Sequence, residues 1–177
     1  YKIIGRQKNI KELIIQYKID GGVISIGDNW GRHFVSKQIL ESVSDFKFFN
    51  AIHPSVIIGS NVKMGVGIVA MAGCIINPKS TIGNFTFFAT GAQVDHDCTI
   101  GDFASISAGS ITGGYVNLGD FSAITLGVTV LDRLNIGKNT VVGAGSVLLK
   151  DLPDNVLAYG NPCIVIRSRV GAEKWLK

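Results

Sequence analysis

The sequence predicts a mainly β protein, a parallel β-helix of hexapeptide repeats that follows a partial α/β segment. Residues taken every six positions from Ile52 to Leu148 are apolar in sixteen of seventeen cases, and the exception is Thr112. The column four positions later, from Val56 to Leu152, contains no charged or aromatic residue. An α-helix repeats every 3.6 residues and an ordinary strand every two, so neither produces a long six-residue period. A β-helix does produce such a period, because its short strands recur every six residues and stack in successive coils.

A longer period indicates the size of one coil. Two series of five glycines, from Gly65 to Gly137 and from Gly73 to Gly145, are each spaced by 18 residues. Three hexads therefore close one triangular coil, with glycine where a bend requires positive φ or close backbone approach. Coils stack at the strand spacing of about 4.8 Å. Residues 52–153 hold between five and six such coils.

The segments on either side of the repeats have different patterns. Apolar spacing predicts helices before the repeats, and a buried strand there ends in a Gly-Asp-Asn turn, a plausible ligand crevice. We predict three parts: a partial, Rossmann-like α/β domain at 1–50, the β-helix at 51–153 and a C-terminal region at 154–177. The predicted elements outside the repeats are helices at 8–17 and 33–43, a strand at 21–29, a loop and strand at 159–170 and a short helix at 171–177.

Composition excludes several classes of protein. The net charge is +4, and the 17 basic residues form no cluster that alternates with aromatics as a nucleic-acid surface would. The sequence has no uninterrupted apolar stretch of about 18 residues, so it predicts no membrane span. The start has no recognisable signal peptide. Three cysteines without a CxxC pair predict core residues rather than a disulfide framework or metal site. We expect a cytoplasmic protein with mild affinity for phosphorylated small molecules.

One short motif, QVDHDC at 93–98, contains His96 between two aspartates. Alone it fits either a general base or an ordinary solvated histidine at a bend. One coil further, at Gly113 and Gly114, the same edge carries two adjacent glycines.

Four motifs carry a resemblance to a known family: VDHDCTIGDF, the GG of ITGGYVNLGD, IGKNTVVGAGSVLLKDLPDN and YGNP. They resemble the bacterial sugar acetyltransferases that modify sialic acid or nucleotide-linked amino sugars. The resemblance implies a left-handed β-helix, a homotrimer with acetyl-CoA bound between subunits, and a nucleotide-sugar site in the α/β domain. It implies acetylation of an amino group on a UDP- or dTDP-linked amino sugar, with O-acetylation of sialic acid or a related sugar as the alternative.

The resemblance also implies catalytic roles. His96 is the general base, Asp97 orients it, with Asp95 as second choice, and the N–H of Gly114 stabilises the thioester oxygen as it becomes negative. An amine that attacks a thioester must lose a proton, which a histidine can accept near neutral pH when a carboxylate fixes its tautomer. A backbone N–H without a side chain in front of it is a suitable oxyanion donor.

For acetyl-CoA, the resemblance implies contacts along the coil edges and at the Gly-Asn-Pro loop. Many relatives have histidine where this chain has Ser105, and Ala-Lys where it has Cys163-Ile164, so another cation must face the CoA phosphates. Each residue could instead merely pack or be solvated. The residues concerned are Ser105, Gly114, Leu126, Ala144, Lys150, Asn161, Pro162 and Arg167, with Arg169 as an alternative cation.

On the sugar side, the resemblance assigns substrate binding to Gly27, Asp28 and Arg32. A helix N-cap at Asp28 is an equally good explanation of the same turn.

Two other classes remain open. Trimeric zinc hydratases share the β-helix but need three converging histidines, and His33 and His53 lie outside the coils around His96, so we expect no metal. A non-catalytic scaffold would keep the coils but leave His96, the glycine pair and the loop unexplained. Flat faces rich in phenylalanine predict a homotrimer, because a monomer would leave them wet; they contain Phe85, Phe87, Phe103 and Phe121.

Overall fold

The computed structural model describes residues 2–175 and confirms the parallel β-helix. Two-residue strands begin every six residues from 51 to 147, and each of the first fourteen pairs in parallel with the strand three further along. Paired residues are 18 apart, as in Ser105 with Ala123, which is the predicted coil length. Strands β1 to β17 are Ala51–Ile52, Ile57–Ile58, Lys63–Met64, Val69–Ala70, Ile75–Ile76, Thr81–Ile82, Phe87–Phe88, Gln93–Val94, Thr99–Ile100, Ser105–Ile106, Ile111–Thr112, Asn117–Leu118, Ala123–Ile124, Thr129–Val130, Asn135–Ile136, Val141–Val142 and Val147–Leu148.

Three sheets form the faces of a prism and meet at three corners. The first sheet contains β1 and every third strand after it, the second begins with β2 and the third with β3. We name each corner by residues that repeat along it. The His96 corner joins the second and third sheets at 95–98, 113–116 and 131–134. The glycine corner joins the first and second sheets at 107–110, 125–128 and 143–146. The Phe corner joins the third and first sheets at 83–86, 101–104 and 119–122.

The two columns identified in the sequence form the core. From Ala70 to Leu148 every member of the apolar column is buried. Every member of the column four positions later is also buried, from Ile68 to Leu152. Thr112, the polar exception, is buried too, and its Oγ1 accepts a hydrogen bond of 3.3 Å from the backbone N–H of Asp95. Cys74 and Cys98 are free thiols in this core, and burial raises the pKa of both. Their predicted structural role is confirmed.

Glycine serves two corners for different physical reasons. The series at the glycine corner, such as Gly109 with φ 69°, lies in the left-handed region that other residues adopt at a cost. The glycines of the series at the Phe corner do not lie in the left-handed region. A Cβ at Gly101 would lie 2.6 Å from the backbone nitrogen of Asp120, so close packing of successive coils requires glycine there.

The N-terminal segment contains the two predicted helices but not the predicted strand. A 3-10 helix spans Gln7–Asn9, α1 spans Ile10–Tyr17 and α2 spans Asn29–Ser42. Helix α2 begins before the predicted residue 33 because the side chain of Asp28 caps it. The predicted strand at 21–29 is wrong: within the described residues this segment makes one parallel bridge, between Gly22 and Phe48. None of the helices within residues 2–175 is long and apolar enough to cross a membrane.

Helix α2 covers the Phe corner. The rings of Phe85, Phe103 and Phe121 stack in a column with centroids 4.9 and 5.1 Å apart. Trp30 of α2 stacks on Phe121 at 4.1 Å, and Phe85 is only 8% exposed. The expectation that these three rings form a wet face for a trimer to cover is therefore wrong, because a helix of the same chain covers them. Phe87, at the first sheet, is half-buried.

The C-terminal region extends the first sheet. Strand β18, Val156–Gly160, pairs in parallel with β16, and β19, Cys163–Ser168, pairs antiparallel with β18. The predicted loop and single strand at 159–170 are therefore a two-stranded hairpin. Residues 171–175 contain no helix, contrary to the prediction for 171–177, and 176–177 lie outside the described residues.

Candidate active site

A cavity of about 510 Å³ opens at the His96 corner. Three successive turns form its wall, at 95–96, 111–115 and 129–133. Because neighbouring turns along a corner belong to neighbouring coils, residues far apart in sequence face one small volume. His96 lies in the first turn and Gly114 in the second.

His96 is held by its neighbour Asp97. Its Nδ1 lies 2.9 Å from Oδ2 of Asp97, and its side chain is 48% exposed. Asp97 has φ 56°, a left-handed conformation that aspartate tolerates better than most residues. An ionised carboxylate can only accept a hydrogen bond, so Nδ1 carries the proton and Nε2 is left to accept one.

Asp95 fixes the backbone of the same turn. Its Oδ1 accepts from the backbone N–H of His96 at 2.7 Å and from Nδ2 of Asn77 at 3.1 Å. Its carbonyl accepts from the hydroxyl of Ser80 at 2.8 Å. Of the two aspartates considered from the sequence, Asp97 is the one in contact with the imidazole.

Gly114 lies directly against the imidazole. A Cβ at this position would lie 2.7 Å from Cε1 and 2.8 Å from Nε2 of His96. Its φ is outside the left-handed region, so proximity to the ring is what requires glycine. Its carbonyl accepts from the N–H of Arg133 at 2.8 Å. Within residues 2–175 its own N–H has no acceptor, and Gly114 is one of the residues that line the cavity.

Leu126 and Ala144 lie elsewhere, at the glycine corner. Both are exposed and line a second cavity of about 390 Å³ together with Gly27 and Trp175. A Cβ at Gly127 would meet nothing within 4 Å, so this edge of the prism is an open trough. The second sheet separates this cavity from the His96 corner, and one chain does not bring the two together.

The predicted contact between Ser105 and CoA is wrong. Ser105 is 1% exposed, and its hydroxyl donates to Oδ1 of Asn29 and accepts from the Arg32 guanidinium at 3.0 Å. Its side chain therefore binds α2 to the β-helix. A serine in an outward strand position can be covered by a helix from far away in sequence, which the repeat pattern does not indicate.

The other predicted CoA residues lie near the C-terminal end of the prism. Lys150, Asn161 and Pro162 are exposed, and the Asn161–Pro162 peptide bond is cis. Arg167 donates to both carboxylate oxygens of Glu173, at 3.1 and 2.5 Å. This contact holds the pKa of Glu173 at about 2. A phosphate that binds Arg167 would have to compete with that carboxylate.

Arg169, the alternative cation, is not available to a ligand. Its side chain is 3% exposed, and its guanidinium donates to the carbonyls of Asn139 and Glu173. Burial lowers its pKa.

At the predicted sugar site, Asp28 is a helix cap. Its Oδ2 accepts from the backbone N–H of Gly31 at 2.7 Å, which is the explanation that the sequence left beside substrate binding. Its Oδ1 is buried and has no hydrogen-bond partner within the described residues. Gly27 precedes it and lines the cavity at the glycine corner.

Arg32 is not a substrate-binding residue. It is 0% exposed, and its guanidinium donates to the carbonyls of Phe85, Phe103 and Gly27 at 2.8 to 2.9 Å. Burial lowers its pKa to about 10, which leaves it charged at neutral pH. With every N–H engaged, Arg32 fastens α2 to the Phe corner instead of binding a ligand.

Two cavity residues were missed in the sequence. Tyr115 packs edge-on against His96 with ring centroids 5.3 Å apart. The guanidinium carbon of Arg133 lies 4.6 Å from the centre of the Tyr115 ring. The coil length could have found both, because Asp97, Tyr115 and Arg133 are successive members of one column spaced by 18 residues.

The three histidines do not converge. His33 packs edge-on against Phe103, and Nδ1 of His53 lies 2.8 Å from Oγ of Ser55. Within residues 2–175, no three His, Cys, Asp or Glu side chains are grouped so as to hold a metal ion. The geometry gives no support to the zinc hydratase alternative.

Several solved structures are similar to this chain over most of its length. One is an X-ray structure of a histidine-to-alanine variant of GDP-perosamine N-acetyltransferase from Caulobacter crescentus, in complex with CoA and GDP-perosamine. It is 34% identical to this chain, has a TM-score of 0.87, and the match covers 94% of this chain and 78% of that one. The chain belongs to the acetyltransferase family with the hexapeptide-repeat β-helix fold. A second structure similar to this acetyltransferase is that of the acetyltransferase domain of PglB from Neisseria gonorrhoeae FA1090, in complex with acetyl coenzyme A. It is 26% identical to this chain and has a TM-score of 0.86, and the match covers 94% of this chain and 79% of that one.

A short stretch of this acetyltransferase also resembles O-acetyltransferases. Over 29 residues it is 62% identical to galactoside O-acetyltransferase of Lactococcus lactis subsp. lactis (strain IL1403), which amounts to 16% of this chain and 14% of that relative. No family model matches the sequence. The predicted resemblance is thus confirmed for sugar acetyltransferases with this fold, and the narrower likeness to sialic acid O-acetyltransferases stays a prediction.

Proposed function

We propose that the protein transfers the acetyl group of acetyl-CoA to the amino group of a nucleotide-linked amino sugar. The observation that carries this proposal is that His96 and Gly114 line one cavity. Within the described residues, neither Nε2 of His96 nor the backbone N–H of Gly114 has a hydrogen-bond partner. The fold is that of an enzyme whose structure contains CoA and GDP-perosamine, which supports the substrate class. The nucleotide can be UDP, dTDP or GDP.

The reaction is a direct attack on the thioester. The neutral amine nitrogen forms a bond to the thioester carbonyl carbon while its proton passes to Nε2 of His96. Asp97 stabilises the resulting imidazolium through Nδ1–H, and the N–H of Gly114 donates to the carbonyl oxygen as that oxygen becomes negative. The carbon–sulfur bond then breaks, and the CoA thiolate takes the proton from the imidazolium. The products are an amide and CoA.

The active enzyme is proposed to be a homotrimer. The separation of the two corners supports this, because Leu126 and Ala144 can face the His96 of a neighbouring subunit but not their own. In that arrangement the pantetheine arm lies in the open trough of the glycine corner, beside the neighbour's imidazole. Lys150 and the Asn161–Pro162 loop lie toward the end of the prism where the CoA phosphates would be. Gly27 and Asp28 remain the proposed contacts for the acceptor.

O-acetylation of a sugar is the second candidate, favoured by the 29-residue identity with galactoside O-acetyltransferase. The same base and oxyanion donor would serve a hydroxyl acceptor. The similarity over nearly the whole chain to an N-acetyltransferase outweighs the short match.

Release of free CoA tests both candidates. Purified protein is assayed with UDP-, dTDP- and GDP-linked amino sugars, each beside the matched sugar that bears a hydroxyl in place of the amine, and with sialic acids. Turnover only of amine acceptors supports the proposal, and turnover only of hydroxyl acceptors supports the alternative. A non-catalytic scaffold would show no turnover and no thermal stabilisation by acetyl-CoA.

A further inference from the structure

One column of side chains at the His96 corner contains two residues, Tyr115 and Arg133, that have no role in the proposed reaction. Asp97, Tyr115 and Arg133 occupy the same place in successive coils. Asp97 holds the base, Tyr115 packs against the base at 5.3 Å, and the guanidinium of Arg133 lies over Tyr115 at 4.6 Å. A cation is therefore held one aromatic ring away from the imidazole.

This cation is open to a ligand. The side chain of Arg133 is 71% exposed, and only its Nε approaches a carboxylate, Oδ2 of Asp132, at 3.6 Å. Within the described residues its two terminal nitrogens have no hydrogen-bond partner. Among the described residues that line the cavity, Arg133 is the only lysine or arginine. Asp95 also lines the cavity and Asp97 contacts the imidazole, but each carboxylate already accepts a hydrogen bond from His96.

An arginine fork with free terminal nitrogens, stacked on an aromatic ring, suits a phosphate group. Distance indicates which phosphate. Arg133 is two coils from Asp97, about 10 Å along the prism at strand spacing, and its side chain folds back over Tyr115 toward the base. A hexose ring can bridge a gap of this size between a reacting ring amine and a phosphate on the anomeric carbon. In acetyl-CoA the whole pantetheine arm separates the thioester from the diphosphate.

We infer that Arg133, positioned by Tyr115, binds the phosphate attached to the sugar of the acceptor and selects nucleotide-linked sugars over free ones. The inference rests on the proposed function and adds to it a residue that determines acceptor specificity. Arg133 would hold the end of the sugar opposite the reacting amine. Through this contact the cavity would orient the ring so that the amine reaches Nε2 of His96.

The test is steady-state kinetics with each substrate varied separately. Arg133→Ala should raise the KM for the nucleotide amino sugar by about 10- to 100-fold, the usual worth of hydrogen bonds to a charged group. Its kcat and its KM for acetyl-CoA should stay within about 2-fold of wild type. The KM of Arg133→Lys for the nucleotide amino sugar should lie between those of wild type and Arg133→Ala, because lysine keeps the charge but lacks the two-pronged guanidinium. Tyr115→Leu should raise the same KM by about 2- to 5-fold, the worth of an exposed cation–π contact.

Two controls separate a phosphate contact from a general effect. Lys138→Ala removes another exposed cation that does not line the cavity, and it should leave every constant unchanged. With the free amino sugar as acceptor, which has no phosphate, Arg133→Ala and wild type should have equal KM values. Retention of wild-type folding by Arg133→Ala is checked by its melting temperature.

Other results would overturn the inference. A rise confined to the KM for acetyl-CoA would assign the phosphate to CoA, and a fall in kcat alone would mean that Arg133 acts on the base through Tyr115. Unchanged constants for Arg133→Ala, with an active wild type, would refute the role of Arg133 and leave the proposed function intact. A wild-type enzyme that turns over no nucleotide amino sugar would refute the proposed function, and this inference would fall with it.

Discussion

Gly114→Ala is the substitution whose consequence follows most directly from the geometry. The added Cβ would lie 2.7 Å from Cε1 of His96, where ordinary contacts begin near 3.4 Å. The imidazole must therefore retreat by about 0.7 Å or more, and a misplacement near 1 Å can reduce a rate by about 10²-fold. Because the backbone at Gly114 is not left-handed, alanine adds no backbone strain. We expect kcat to fall by about 10²-fold, with little change in melting temperature.

A double-mutant cycle tests the cause. In His96→Ala there is no ring to displace, so adding Gly114→Ala should lower kcat by less than about 3-fold. CoA release with an identified acceptor measures all four proteins, and Gly171→Ala, where a Cβ meets nothing within 4 Å, is the matched control. If the two losses multiply instead, the methyl group acts on the thioester and not through the imidazole, and the reasoning is refuted.

The remaining predictions concern the base, its partner, the buried arginine and the assembly. His96→Ala should lower kcat by about 10²- to 10⁴-fold without loss of melting temperature or acetyl-CoA affinity, and a near wild-type kcat would contradict its role as base. Asp97→Asn should lower kcat less, because the base remains while its tautomer and orientation loosen; an equal loss would argue against this division of roles. Arg32→Met should lower the free energy of unfolding by about 3 kcal/mol or more, since it leaves buried carbonyls unpaired. Denaturant unfolding measures that loss, and an unchanged midpoint with a raised acceptor KM would restore Arg32 as a substrate contact. Sedimentation at micromolar concentration should show a trimer, and a monomer alone would contradict the site shared between subunits.

Periodicity in the sequence determined the β-helix, its coil length and the turn that carries His96. These features repeat locally, because each hexad must bury one large and one small side chain whatever lies above or below it. Coil length alone placed Gly114 beside His96, and it also relates Tyr115 and Arg133 to Asp97. The coil length predicts these neighbours because successive coils stack in parallel at a constant register, so that residues 18 positions apart in the sequence lie next to each other.

Only the tertiary structure decided what covers each corner. Arg32 reaches carbonyls 53 and 71 residues away, and Ser105 is sealed beneath α2. A local sequence period does not predict contacts between residues so far apart. The sequence therefore led us to predict Arg32 as a ligand contact and the phenylalanines of the Phe corner as part of a subunit interface.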